Sequence, residues 1–267
     1  MQHFISVSEL NAQLGKVIIF DCRFNLGNKT LGQEQYRAGH ISGAYYLDLE
    51  HDLSSPVAIH GGRHPLPDIE IFTQKMRACG VNQQSCIVVY DDSRMAYAAR
   101  AWWLLRYLGH QQVFILDGGF TAWVSTEGTL DRREPAIKSG NFKPDIRADW
   151  AVDRRDILRN RQQLLLIDSR EAKRYRGEEE PIDPVAGHIP GAINYFWQDA
   201  TTEQGFIKPV GEQKARWADL PSRENIVVYC GSGVTACVNL LSLELSGVDA
   251  KLYPGSWSDW CSYPLAE

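Results

Sequence analysis

The chain is predicted to fold as two tandem copies of one α/β domain, each a parallel sheet flanked by helices on both faces. Short apolar, β-branched runs alternate with helical patterns, which is how strands buried on both sides and their crossover helices read. The same short motifs also recur in both halves in the same order. Val17-Ile18-Ile19-Phe20-Asp21-Cys22-Arg23 matches Leu164-Leu165-Leu166-Ile167-Asp168-Ser169-Arg170, and Gly39-His40-Ile41-Ser42-Gly43-Ala44 matches Gly187-His188-Ile189-Pro190-Gly191-Ala192. Ile87-Val88-Val89-Tyr90-Asp91 matches Ile226-Val227-Val228-Tyr229-Cys230, and Gly118 to Trp123 matches Gly255 to Trp260. The spacing between copies drifts from anchor to anchor, as duplicated domains with loop insertions require.

In the first half, 17–20, 44–47, 86–90 and 112–116 read as strands, and 68–79 and 94–108 as helices. In the second, 164–168, 192–195, 225–229 and 250–253 read as strands, with helices near 152–160, 212–219 and 234–246. Glu127 to Asp149 is rich in charge, Gly and Pro and holds no sustained period. The predicted division is therefore a domain over 1–130, a linker over 131–148 and a second domain over 149–267.

At 267 residues, 44% hydrophobic and 23% charged, the chain suits two small globular domains. Its net charge of -5 gives a nucleic-acid role no electrostatic support. No apolar run approaches membrane-spanning length, and Met1-Gln2-His3-Phe4-Ile5-Ser6 lacks the basic start of a signal peptide. Cys22, Cys79, Cys86, Cys230, Cys237 and Cys261 form no CxxC pair and no Cys/His cluster with zinc spacing. Reduced thiols in a cytoplasm are expected, and no metal.

Cys230 stands apart from the other five. It ends the run Asn225-Ile226-Val227-Val228-Tyr229 and opens the small-residue run Gly231-Ser232-Gly233-Val234-Thr235-Ala236. Its thiol should sit at a strand end, in a tight loop whose N–H groups point inward at a helix N-terminus. Such a loop favours anions, and thiolate over thiol, so Cys230 is the candidate nucleophile. Ligands of parallel sheets bind beyond the carboxyl ends of strands, where Cys230 falls. The first copy has Asp91 at the equivalent position, followed by Asp92-Ser93-Arg94, and has lost the thiol.

These motifs resemble the rhodanese superfamily in its tandem-domain form. The resemblance spans nearly the whole chain and includes Asp168-Ser169-Arg170, Arg174-Tyr175-Arg176-Gly177, the Gly-His-Ile-Pro-Gly-Ala turn and the loop from Cys230 to Ala236. Ala101-Trp102-Trp103-Leu104-Leu105 and Asp117-Gly118-Gly119 add to it. It implies a ping-pong sulfur transfer without a cofactor, in which Cys230 takes a sulfane sulfur as a persulfide and passes it to cyanide, a small thiol or thioredoxin. The wording Cys-Gly-Ser-Gly-Val-Thr-Ala resembles the branch that uses 3-mercaptopyruvate, while thiosulfate-preferring members carry basic residues in place of Gly231 and Ser232. By the same resemblance Arg174 holds the donor's anionic group. A second substrate arginine is missing from Glu178-Glu179-Glu180-Pro181-Ile182-Asp183-Pro184-Val185-Ala186, which leaves Arg63 or Arg94 to replace it and thiosulfate open as donor. Glu50 and His64 resemble residues that line the cleft between the domains and handle protons.

His40 and His188 are expected to brace their turns, Trp102 and Trp103 to fill core or a domain interface, and Glu178 to Glu180 to lie on a solvated loop. A cysteine phosphatase would need an arginine as the sixth residue after the thiol, where Ala236 stands. A sulfur relay to a partner protein uses the same chemistry and stays open. So does a regulatory platform built on the first copy, and a resolving role for Cys237 or Cys261.

Overall fold

The computed structural model describes residues 3–221 and 225–264. The chain divides into two compact units, one of Met1–Ser55, Pro67–Arg147 and Glu203–Ile207, the other of Pro56–Leu66, Ala148–Thr202 and Lys208–Glu267. Two short segments thus belong to the unit opposite to their place in the sequence.

The first unit holds a five-stranded parallel sheet in the order Phe4–Ile5, Val113–Leu116, Ile87–Tyr90, Ile18–Asp21, Ala44–Tyr46. All four side chains of Ile87–Tyr90 are buried, which is why this run carries no polar alternation. The helix Ile69–Ala78 starts where the Asp68 carboxylate accepts the N–H groups of Glu70 and Ile71. Leu130–Asp131 pairs antiparallel with His40–Ile41, so the stretch expected to open the linker begins against the first unit. The second unit holds four parallel strands in the order Lys251–Leu252, Asn225–Tyr229, Leu164–Asp168, Ile193–Asn194. The helices Arg154–Asn160, Val210–Arg216 and Ala236–Leu245 fall where periodicity predicts them, the first closed by a capping box between Asp153 and Asp156.

One predicted boundary moves for a physical reason. The helix expected from residue 94 begins at Ala98, because residues 91–97 form a loop with Arg94 and Met95 at φ 57° and 69°. Short elements that periodicity does not reveal also appear, among them the helices Val7–Ala12, Leu31–Ala38, Gly119–Ser125, Ala172–Tyr175 and Ser256–Trp260.

The duplication extends to single hydrogen bonds. Arg23 chelates Asp21 and donates to Gly39 O, as Arg170 chelates Asp168 and donates to Gly187 O. Tyr36 stacks on His40 with centroids 3.9 Å apart, and Tyr175 on His188 at 4.0 Å. Each histidine Nδ1 meets its tyrosine's carbonyl, and each tyrosine hydroxyl donates to Ala44 O or Ala192 O. This polar frame, its tyrosine and histidine buried in the first copy and half-buried in the second, holds the carboxyl ends of the strands in the same arrangement in both, and it answers the bracing role expected of His40 and His188.

Candidate active site

Cys230 follows the strand Asn225–Tyr229 and is 2% exposed. Its N–H donates to Ser256 Oγ at 3.1 Å and its carbonyl accepts from Trp257 N at 3.0 Å, while Gly231 O accepts from Ser258 N at 2.9 Å. The loop is thereby sewn to the segment Gly255–Trp260. Ser256 occupies the left-handed region at φ 56°, and its hydroxyl also donates to Tyr253 O. A non-glycine residue held there marks a strained site. Gly233 has φ 75°, and a side chain on it would collide with the Pro254 backbone, so only glycine closes this turn. The helix then begins at Ala236.

The structure brings Arg174, Arg63 and His64 together with this loop. A methyl group built on Gly231 would lie 2.9 Å from Arg63 Nη2 and 3.8 Å from both Nη atoms of Arg174. Two guanidinium groups thus stand beside the residue that follows the thiol. Burial pushes the Arg63 guanidinium below its usual value, opposed by the charge of the Cys230 sulfur, while Arg174 and Arg170 add repulsion. His64 Nδ1 lies 2.8 Å from Ser232 Oγ, and both residues are buried. Sequence order puts Arg63 and His64 in the first half, yet the second unit holds them. Arg63 N donates to Ser258 Oγ at 3.1 Å, Gly61 N to Asp259 Oδ1 at 2.7 Å, and His60 stacks on Tyr263 with centroids 3.9 Å apart.

Glu50 and Arg94 belong to the first unit, where Glu50 pairs with Lys29 at 2.6 Å. The acidic run divides. Glu178 and Glu179 are exposed as expected, but the Glu180 side chain is only 4% exposed and holds Arg174 Nη2 at 2.6 Å and Arg170 Nη1 at 3.1 Å. That corrects the expectation of a solvated loop for Glu180, since the buried Arg170 and the half-buried Arg174 need a carboxylate there. Asp183 completes the set, accepting from Arg63 Nη1 and from Arg174 Nη2. Neither acid announces itself in the sequence, as burial of one glutamate in three depends on where the loop folds back.

None of the six cysteines is in a disulfide. Cys261 is pushed up to about 11 by burial, which leaves it protonated at neutral pH. The Cys237 thiol points at Gly233 O, 3.5 Å away within the packed helix. Trp102 and Trp103 are core, 1% and 2% exposed. Among the described residues no helix is long and apolar enough to cross a membrane, and no three His, Cys, Asp or Glu side chains are grouped to hold a metal ion.

Fold and site together define a duplicated parallel α/β protein in which one copy carries a buried thiol at a strand-end loop beside paired arginines. The model of the rhodanese-like domain matches residues 6–126 and again 152–263. The chain belongs to the rhodanese family, in its tandem form. It is 42% identical to a provisionally named 3-mercaptopyruvate sulfurtransferase of Pseudomonas aeruginosa, over 97% of this chain and 95% of that one. A provisionally named thiosulfate sulfurtransferase of Mycobacterium tuberculosis is 38% identical over 98% of this chain and 95% of that one. The solved structure of a 3-mercaptopyruvate sulfotransferase from Escherichia coli superposes with a TM-score of 0.82 at 34% identity, covering 97% of this chain and all of that one. Kinship of this extent makes the chain a sulfurtransferase.

Proposed function

We propose that the chain moves the sulfur of 3-mercaptopyruvate, through a persulfide on Cys230, to a thiophilic acceptor such as cyanide, a small thiol or thioredoxin, in the cytoplasm. The observation that carries this reading is the pair of guanidinium groups, from Arg63 and Arg174, beside Gly231. Arg174 takes the donor's carboxylate on the Nη1 and Nη2 edge that faces Gly231, where the donor competes with Asp183, and Arg63 supplies the second cation that the segment 178–186 lacks. The Cys230 thiolate attacks the donor sulfur, and the sulfur–carbon bond breaks. Its electron pair leaves on carbon as the enolate of pyruvate, which takes a proton relayed through His64 and Ser232. The outer sulfur stays on Cys230. The N–H groups of Gly231, Ser232, Gly233, Val234, Thr235 and Ala236 are the groups assigned to stabilise thiolate and persulfide alike. The acceptor then attacks the outer sulfur and Cys230 leaves as thiolate.

Thiosulfate is the second donor, since the two arginines offer an anion N–H donors that the side chains of the loop do not. The test is kcat/KM for both donors side by side, with cyanide and with a reducing thiol as acceptor. A preference of about tenfold or more for 3-mercaptopyruvate is expected. Equal or reversed preference contradicts the donor assignment, and no transfer from either contradicts the reaction.

A further inference from the structure

We infer that Asp183 is a resident carboxylate in the donor's anion site, and that it selects singly charged donors over doubly charged ones. The inference rests on the proposed reading of Arg63 and Arg174 as the donor's anchors. Asp183 is 7% exposed and bridges those same two arginines, Oδ1 to Arg63 Nη1 and Oδ2 to Arg174 Nη2. Arg174 is further engaged by both oxygens of Glu180, at 2.6 and 3.2 Å. Glu180 is fixed in turn by Arg170 and by the N–H groups of Ile182 and Asp183.

The charges of this cluster cancel. Arg63, Arg170 and Arg174 face Asp168, Glu180 and Asp183, so an approaching donor meets a neutral cluster in front of an anionic sulfur. A monoanionic keto acid needs only to exchange for one Asp183 oxygen or to use Arg63 Nη2 and Arg174 Nη1, which face Gly231. A dianion such as thiosulfate brings a second negative charge that nothing in the cluster balances, beside the thiolate. Of the two carboxylates on Arg174, Asp183 is the exchangeable one. Glu180 is anchored by backbone N–H groups, whereas Asp183 is held through the two arginines that the donor itself would engage.

Replacing Asp183 by asparagine keeps the shape, removes one negative charge and loosens both guanidinium groups. Asp183→Asn should raise the ratio of kcat/KM for thiosulfate over 3-mercaptopyruvate by about tenfold or more. The wild type supplies an arm that needs no variant. Its kcat/KM for thiosulfate should stay level or rise as salt is added, because the site presents no net positive charge, while that of a folded Asp183→Asn should fall. An unchanged donor ratio in a folded Asp183→Asn overturns the inference, as does a steep salt-induced fall in the wild type. A wild type that uses neither donor fails the reading beneath it instead, so the two failures are distinguishable.

Discussion

The loop after Ile87–Tyr90 and the loop after Asn225–Tyr229 occupy the same place in their two units, and a carboxylate fills the first where a thiol stands in the second. In the first, the Asp91 carboxylate turns inward and accepts four backbone N–H groups, from Ser93, Met95, Tyr97 and Ala98, at 2.8 to 3.0 Å. The loop carries its own anion. In the second, Cys230 stands at that position. The surroundings change with it. Gln35, which precedes Tyr36, approaches Asp92 at 3.5 Å, whereas Arg174, which precedes Tyr175, stands beside Gly231. Asp91 O accepts from Phe120 N as Cys230 O accepts from Trp257 N, and left-handed Gly119 becomes left-handed Ser256. A shared scaffold therefore supports a loop filled by its own carboxylate in one copy and, in the function proposed for it, an anion-receiving loop in the other.

Moving the nucleophile is the hardest test of that contrast. In a Cys230→Ser, Asp91→Cys double variant, turnover should fall by about a thousandfold or more and not return, because the first loop has a glutamine where the second has Arg174. Recovered sulfur transfer would mean that the thiol and the loop suffice. Arg174→Ala should lower kcat/KM by about ten- to a hundredfold, chiefly through KM, which is the worth of one charge-assisted hydrogen-bonded pair. An unchanged kcat/KM removes Arg174 from the donor site.

Asp91→Ala should leave kcat nearly intact but destabilise the fold by about 2–4 kcal/mol, since it strands buried N–H groups. Thermal melting checks this. The deficit also has a sign in pH. Burial raises the Asp91 carboxyl above its ordinary 3.8 despite the N–H groups that pull it down, so the folded state takes up a proton before the unfolded state does. The stability gap between wild type and Asp91→Ala should widen as pH falls through that raised value. A gap that narrows over this range contradicts the assignment.

Much of this was legible in the sequence. The duplicated motifs and β-branched runs located the strands at the centre of both sheets, and the small-residue run after Cys230 located the loop. What escaped depends on tertiary contacts. Helices such as Ala172–Tyr175 and Ser256–Trp260 are too short to show a period or to stand alone, and packing makes them. Arg63 and His64 were named from sequence, but their unit was not, because the anchors are a hydroxyl and a carboxylate nearly two hundred residues away, on Ser258 and Asp259. Asp183 and Glu180 looked like any acidic loop until the arginines closed on them.

The central claim is that Cys230 carries the sulfur. Whole-protein mass spectrometry after a brief exposure to 3-mercaptopyruvate, with peptide mapping, tests it most directly. The wild type should gain the mass of one sulfur atom on the peptide bearing Cys230, and cyanide should remove it. Sulfur found on another cysteine, or retained by Cys230→Ser, would contradict the account.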